Sequence, residues 1–213
     1  MKRLWTSLPN FVDCEKFHPS ADLQEKQACR RTLGLPEEAF VVGCVAAVKK
    51  NHKRVDHLIR EFARIPSSPF LVVAGARTDE TDELLALAES LIPGHYRILT
   101  DCGRDQMPGI YRAMDVFALA SLFEMMPIAL LEALASGLPC LTHSHPVMTW
   151  MTGAGGLGLD MSREGGLAAS IQGITPEWMR VHSAHARERA VKTFSPDAVI
   201  PQYVAYYRKV LEA

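Results

Sequence analysis

The sequence predicts an α/β fold: one parallel sheet of about six strands, doubly wound, with helices on both faces. Three observations carry that prediction. Short apolar, β-branched runs such as AFVVGCVAAV (39–48) and FLVVAG (70–75) lack polar alternation, so each reads as a strand buried on both faces. Stretches of helical period separate these runs. Glycine and proline punctuate the boundaries, as in SGLPC (136–140).

Taken in order, residues 1–20 show no periodicity and hold Pro9, Asn10 and Pro19, so they read as an extended lead-in. A short helix over 21–33 is stopped by Gly34 and Pro36. The first strand, 39–48, is followed by a helix over 55–65, with Val55, Leu58, Ile59 and Phe62 on one face. A strand (70–75), a helix opened by acidic residues (80–92) and a third strand (96–100) come next. A short helix (107–114) leads to a fourth strand (115–120). The next helix runs over 127–136, with Pro127 at its first position and Gly137 and Pro139 ending it. A fifth strand (138–143), a short sixth (155–161) and helices over 162–172, 176–192 and 196–212 close the chain. Alternation at this spacing gives a Rossmann-like domain, whose ligands bind at the carboxyl ends of the strands.

Composition narrows the function classes. The 213 residues are 48% hydrophobic and 22% charged with net charge −1, so no global field recruits nucleic acid or an anionic membrane. The N-terminal MKRLWTSLPNF lacks a signal-peptide core, and no apolar run reaches membrane-span length. Five scattered cysteines lack a C-x-x-C pair. Cys44 and Cys140 read as buried small hydrophobes in a reducing compartment, so a cytoplasmic location is expected.

The chemistry concentrates in SLFEMMPIALLEALASGLPC (121–140). Its helix is apolar all round, yet it carries Glu132, with seven residues between it and Glu124. Burying a carboxylate costs several kcal/mol unless hydrogen bonds or a cation offset it. Either a basic residue pairs with Glu132, or the carboxylate accepts hydrogen bonds from ligand hydroxyls. Glu124 lies on the loop leaving the fourth strand, at the ligand-binding edge. Two carboxylates beside a helix N-terminus suit a ligand with both hydroxyls and an anion, as a nucleotide-sugar has.

The same residues carry a resemblance. EMMPIALLEALASGLPC resembles the Glu-x7-Glu signature of retaining glycosyltransferases of family 4 (group 1), whose two-domain fold is termed GT-B. In order along the chain, LPNFVDCEKFHP (8–19) resembles that family's interdomain linker. VAAVKKNHKRVDHLIREF (45–62) resembles its strand, phosphate loop and helix. IYRAMDVFALAS (110–121) and FSPDAVIPQYVAYYRKVL (194–211) resemble the strand before the signature and the last helix. The resemblance implies the C-terminal half of a GT-B enzyme. It would have a lead-in over 1–20, a donor-binding domain over 21–194, and a helix over 195–213 packing toward an N-terminal acceptor domain.

The implied activity is transfer of a hexose from a nucleotide-diphosphate sugar to a glycan or lipid-linked acceptor, as in polysaccharide biosynthesis. The half-enzyme is expected to be inactive alone, with peripheral membrane association arising only through the other half. No metal or other cofactor is implied. Glu124 inherits contact with donor-sugar hydroxyls, Glu132 the ribose and Lys53 the diphosphate, so Glu124 and Lys53 form the implied catalytic pair. Met125, Met126, Pro127, Ile128, Leu131, Ala46, Ala47, Lys49 and Thr100 are the further implied donor contacts. His143, at the carboxyl end of the fifth strand, joins them from its position. The chain departs from the pattern at Ala46 and Ala47, which replace a glycine and a phosphate-binding arginine, and at Met125, which replaces a glycine. Lys49 or Lys50 either substitutes for that arginine or is a solvated loop lysine.

Other features read more plainly. GAGGLG (153–158) comes late, after five strands, and runs into another strand-like stretch rather than the helix a dinucleotide site needs, so it reads as a glycine-rich turn. Thr142-His143-Ser144-His145 has no third metal ligand at a recognisable spacing. His182 and His185 are expected to face solvent, and the Met107–Met114 and Met125–Met126 groups to fill the core. Ile200, Val204, Tyr206, Tyr207 and Val210 either expose an apolar face or pack on their own domain. The rival functions are a non-catalytic or degenerate nucleotide-sugar binding module and, behind it, a nucleotide-sugar epimerase.

Overall fold

The apolar runs pair side by side in one parallel sheet. The computed structural model describes residues 6–212. In chain order its elements are α1 (Leu23–Leu33), β1 (Val41–Val45), α2 (Val55–Phe62), β2 (Phe70–Ala74), α3 (Thr81–Leu91), β3 (Tyr96–Leu99), α4 (Met107–Arg112) and β4 (Val116–Leu119). They continue with α5 (Ile128–Ala135), β5 (Cys140–His143), α6 (Pro146–Thr152), β6 (Gly156–Leu159), α7 (Gly166–Gln172), α8 (Pro176–Arg189), a π-helical turn (Ala190–Phe194) and α9 (Pro196–Leu211). The sheet order is β3-β2-β1-β4-β5-β6, with every pairing parallel. The order reverses between β1 and β4, so loops leaving those two strands diverge and open a crevice at their carboxyl ends.

Helices cover both faces, and burial of β1, β2, β4 and β5 is nearly complete, as unbroken apolar runs require. Asp115, just before β4, fastens the opposite, amino edge. Its carboxylate accepts from Lys26 Nζ at 2.8 Å, Arg30 Nη2 at 2.7 Å and the Val41 amide at 2.7 Å. Gly137 ends α5 in the left-handed region (φ 68°), with its amide on Leu134 O and the Leu138 amide on Ala133 O, the stop that Gly137-Leu138-Pro139 predicts.

Several expectations need correction. Pro127 is the N-cap of α5, with extended ψ (117°), rather than its first helical residue. The sequence reading assigns nothing to 146–152, where α6 forms. Seven residues are too few for a periodic signal, and this helix exists by burying Met148 and Met151. The expected helix over 176–192 gives way after Arg189 to the π-helical turn. His182 is half-buried and stacks on Trp178 at 4.1 Å, while His185 is exposed. Met114 is core, but Met125 is 77% exposed and so is no core filler. The lead-in packs: Val12, Cys14 and Phe17 are buried, and the Val12 amide donates to Phe194 O. On α9 only Val199 is buried, and Ile200, Val204, Tyr207 and Val210 are exposed along it. No helix among the described residues is long and apolar enough to cross a membrane.

Candidate functional site

The loop from β1 to α2 is stitched to its neighbours before it reaches the crevice. The Ala46 amide donates to Ala74 O, the Val48 amide to Ala76 O, and Thr78 Oγ1 donates to Val48 O at 2.6 Å. Only glycine fits at 75, because a Cβ there would lie 1.9 Å from Ala46 O. Among the described residues, three of the four non-glycine residues in the left-handed region lie at this edge, the fourth being Ser68 before β2. His52 (φ 67°) and Arg54 (φ 53°) lie in the β1–α2 loop, and Asp101 (φ 65°) follows β3. Such conformations cost free energy and tend to persist where function requires them.

The twisted loop sends three consecutive side chains across to the β4–α5 loop. His52 Nε2 lies 2.9 Å from Phe123 O, and a carbonyl partner requires that nitrogen to carry the proton. Lys53 Nζ sits 2.5 Å from Glu124 Oε1, with the two side chains 21% and 9% exposed. Arg54 Nη1 donates to Met161 O and lies 3.5 Å from Ala120 O. Beneath the ion pair, Cys44 is fully buried, and desolvation pushes its thiol up to about 12. The sequence reading found Lys53 and missed His52 and Arg54. Three basic residues at a helix N-terminus oppose the helix dipole, and that conflict was the available signal.

Glu132 projects from α5 and is only partly buried. Its Oε2 accepts from Tyr111 Oη at 2.7 Å. Burial raises its carboxyl above the ordinary glutamate range, opposed by the Tyr111 hydrogen bond and by the charges of Lys16 and Arg104. Among the described residues no cation lies within ion-pair distance of it, so the partner is a hydroxyl rather than a basic residue. No side chain caps the N-terminus of α5, whose first backbone N–H groups stay open, whereas at α2 the Val55 and His57 amides already donate to Lys49 O and Arg54 O.

Around these groups, Met125 and Ile128 are exposed, and Met126 is half-buried with its sulfur 3.1 Å from the Asn10 amide. Ala46, Ala47, Lys49, Pro127 and Thr100 are half-buried. His143 Nδ1 lies 3.2 Å from both Leu159 O and the Met161 amide, held against the loop after β6. Leu131 must be withdrawn as a donor contact: its side chain is fully buried in the core and has no surface for a ligand. Lys50 is committed elsewhere, its ammonium on Glu83 at 2.6 Å and its amide on Glu80. Lys49 makes no ion pair among the described residues.

Comparison with known proteins places the chain. The family profile of glycosyl transferases group 1 matches residues 25–159, which spans β1 through β6. The chain belongs to the glycosyl transferases group 1 family. Among curated relatives of this group 1 domain, it is 36% identical over 142 residues to UDP-Gal:alpha-D-GlcNAc-diphosphoundecaprenol alpha-1,3-galactosyltransferase of Escherichia coli; the match covers 63% of this chain and 35% of that protein. It is also 36% identical over 142 residues to D-inositol 3-phosphate glycosyltransferase of Salinispora arenicola, covering 60% and 32%. The chain thus spans about a third of the length of the curated relatives it matches. In fold it is similar to sucrose-phosphate synthase from Thermosynechococcus elongatus (TM-score 0.84, 22% identity, 96% of this chain and 52% of that one). It is equally similar to Anabaena HepE in complex with UDP and glucose (TM-score 0.86, 19% identity, 96% and 57%).

Proposed function

We propose that this group 1 domain is the donor-binding domain of a retaining, family 4 glycosyltransferase that moves a hexose from a nucleotide-diphosphate sugar to a glycan or lipid-linked acceptor. The observation that carries the reading is the pairing across the switch-point crevice: Lys53 against Glu124, with Glu132 on the following helix. Lys53 and the uncapped backbone N–H groups of α5 are suited to a diphosphate, and would neutralise the leaving group's charge as the glycosidic bond breaks. Glu124 then accepts from sugar hydroxyls and Glu132 from the ribose. Met125, Met126, Pro127, Ile128, Ala46, Ala47, Lys49, Thr100 and His143 complete the proposed surround. The mechanism uses no metal.

Acceptor positioning, which supplies much of the rate through proximity, is assigned to a second domain, in keeping with the greater length of the relatives. The domain alone is therefore expected to bind donor and transfer little, in the cytoplasm. The relatives named above differ in acceptor, and similar structures hold UDP in one case and ADP in another, so the base and acceptor are left to experiment.

A second reading, a binding module without turnover, is favoured by one observation. Ala47 stands where the resemblance expects an arginine, and Lys50 is committed to Glu83, which weakens the phosphate clamp. The deciding test is calorimetric titration of the chain with UDP, GDP and ADP, alongside Lys53→Ala and Glu132→Ala. Binding of one nucleotide, weakened in both variants, supports the donor site. Binding that is unchanged in both variants overturns it. Turnover after a partner acceptor domain is added separates the transferase from the module.

A further inference from the structure

Tyr111 belongs to none of the groups assigned above, yet its hydroxyl lies at the centre of the proposed ribose contact. The ring comes from α4, is fully buried, and packs edge-on against Phe17 at 5.7 Å. Its hydroxyl carries one proton and meets two acceptors: Glu132 Oε2 at 2.7 Å and Ala129 O at 3.2 Å. The shorter contact to a charged oxygen takes the proton, because charge-assisted hydrogen bonds are the stronger ones. Core packing alone asks only for the ring, and a phenylalanine would fill the same space without a buried hydroxyl to satisfy. The hydroxyl therefore has a reason to be there, and the reason is Glu132.

The effect on Glu132 is specific. A glutamate has three side-chain torsions, and on a half-buried helix face several rotamers compete. One bond to Oε2 from a rigid, buried ring removes most of that freedom. No protein donor meets Oε1 among the described residues. Oε1 thus stays an unfilled acceptor at a fixed place.

Resting on the donor-site reading, we infer that Tyr111 is a positioning residue: it holds Glu132 by Oε2 so that Oε1 meets the ribose hydroxyls, and so sets the preference for ribonucleotides over deoxynucleotides. Tyr111 does not touch the ligand. It acts through Glu132, and its removal should change discrimination rather than affinity in general.

The experiment titrates the chain and Tyr111→Phe with the nucleoside diphosphate selected in the base panel and with its 2′-deoxy and 3′-deoxy analogues. The expected result is a loss of about tenfold in ribonucleotide affinity, the worth of one charge-assisted hydrogen bond, with deoxy affinity unchanged, so that discrimination collapses. Equal losses for all ligands, or full retention of discrimination, overturn the inference while leaving the donor site standing. Absence of nucleotide binding by the unmodified chain defeats the donor-site reading itself. If Tyr111→Phe does not accumulate as folded protein, the comparison moves to the Glu132→Ala background, where no buried carboxylate is orphaned. There Tyr111→Phe should leave nucleotide affinity within about twofold, because nothing remains for it to position. A further tenfold loss in that background would show Tyr111 acting by another route.

Discussion

Replacing Glu124 by glutamine should make the chain bind a bare nucleoside diphosphate more tightly, although Glu124 belongs to the proposed site. In the unliganded chain Lys53 Nζ is engaged by Glu124 Oε1 at 2.5 Å, so an arriving diphosphate competes with a carboxylate for its cation. The Coulomb attraction between unit charges about 4 Å apart is roughly 4 kcal/mol at an effective dielectric of about 20. Desolvation returns much of that, and measured couplings for close charge pairs begin near 1.5 kcal/mol. Taking about 1.5 kcal/mol as the competition removed, the nucleotide dissociation constant should fall about tenfold. The same change removes the acceptor for sugar hydroxyls, so any preference for the sugar nucleotide over the bare nucleotide should shrink. Calorimetry with both ligands reads the two effects together, and adding Lys53→Ala should abolish the gain. Unchanged or weaker binding of the bare diphosphate by Glu124→Gln would refute the idea that the ion pair holds the phosphate site closed.

Glu132→Gln should stabilise the chain. Burial raises the Glu132 carboxyl, so its contribution to stability is full below the unfolded-state value and is lost as pH rises through the folded value. The variant should therefore melt higher than the parent at neutral pH, and the difference should vanish below about pH 4; an equal advantage at every pH would contradict this. Native thiol labelling should modify Cys29 and Cys102 first, because Cys14, Cys44 and Cys140 are buried, and mass spectrometry of the labelled chain checks it. Asp115→Ala should cost roughly 3 kcal/mol in denaturant unfolding, since it takes the carboxylate from the buried Arg30 guanidinium and leaves it only the Ala113 and Glu37 carbonyls, and should leave nucleotide affinity unchanged.

The sheet was legible because doubly covered strands are written as apolar runs, and the candidate binding edge follows from parallel alternation. Glu124 and Glu132 stand out as candidates in the sequence because charge is costly amid apolar residues and because their spacing carries a family resemblance, and Lys53 stands out through that resemblance alone. The Tyr111 bond was not. It joins residues 21 apart on different helices, and nothing local in the sequence marks a hydroxyl as aimed at a carboxylate. Leu131 misled for the converse reason: adjacency to Glu132 in sequence is not adjacency in space, since neighbours on a helix are turned about 100° apart. His52 and Arg54 could have been singled out from their clash with the helix dipole, but their reach across the crevice depends on left-handed backbone that sequence alone does not reveal.

The cluster around Asp115 has a practical consequence for large-scale mutagenesis. It joins α1, the start of β1 and the start of β4 by ionic and backbone bonds, at the edge of the sheet away from Lys53 and Glu124. A pooled variant library scored twice, once for intracellular abundance and once for ligand capture, should separate the two edges. Substitutions at Lys26, Arg30 and Asp115 would deplete cells of the protein, whereas those at Lys53 and Glu124 would leave it plentiful and alter only what it captures.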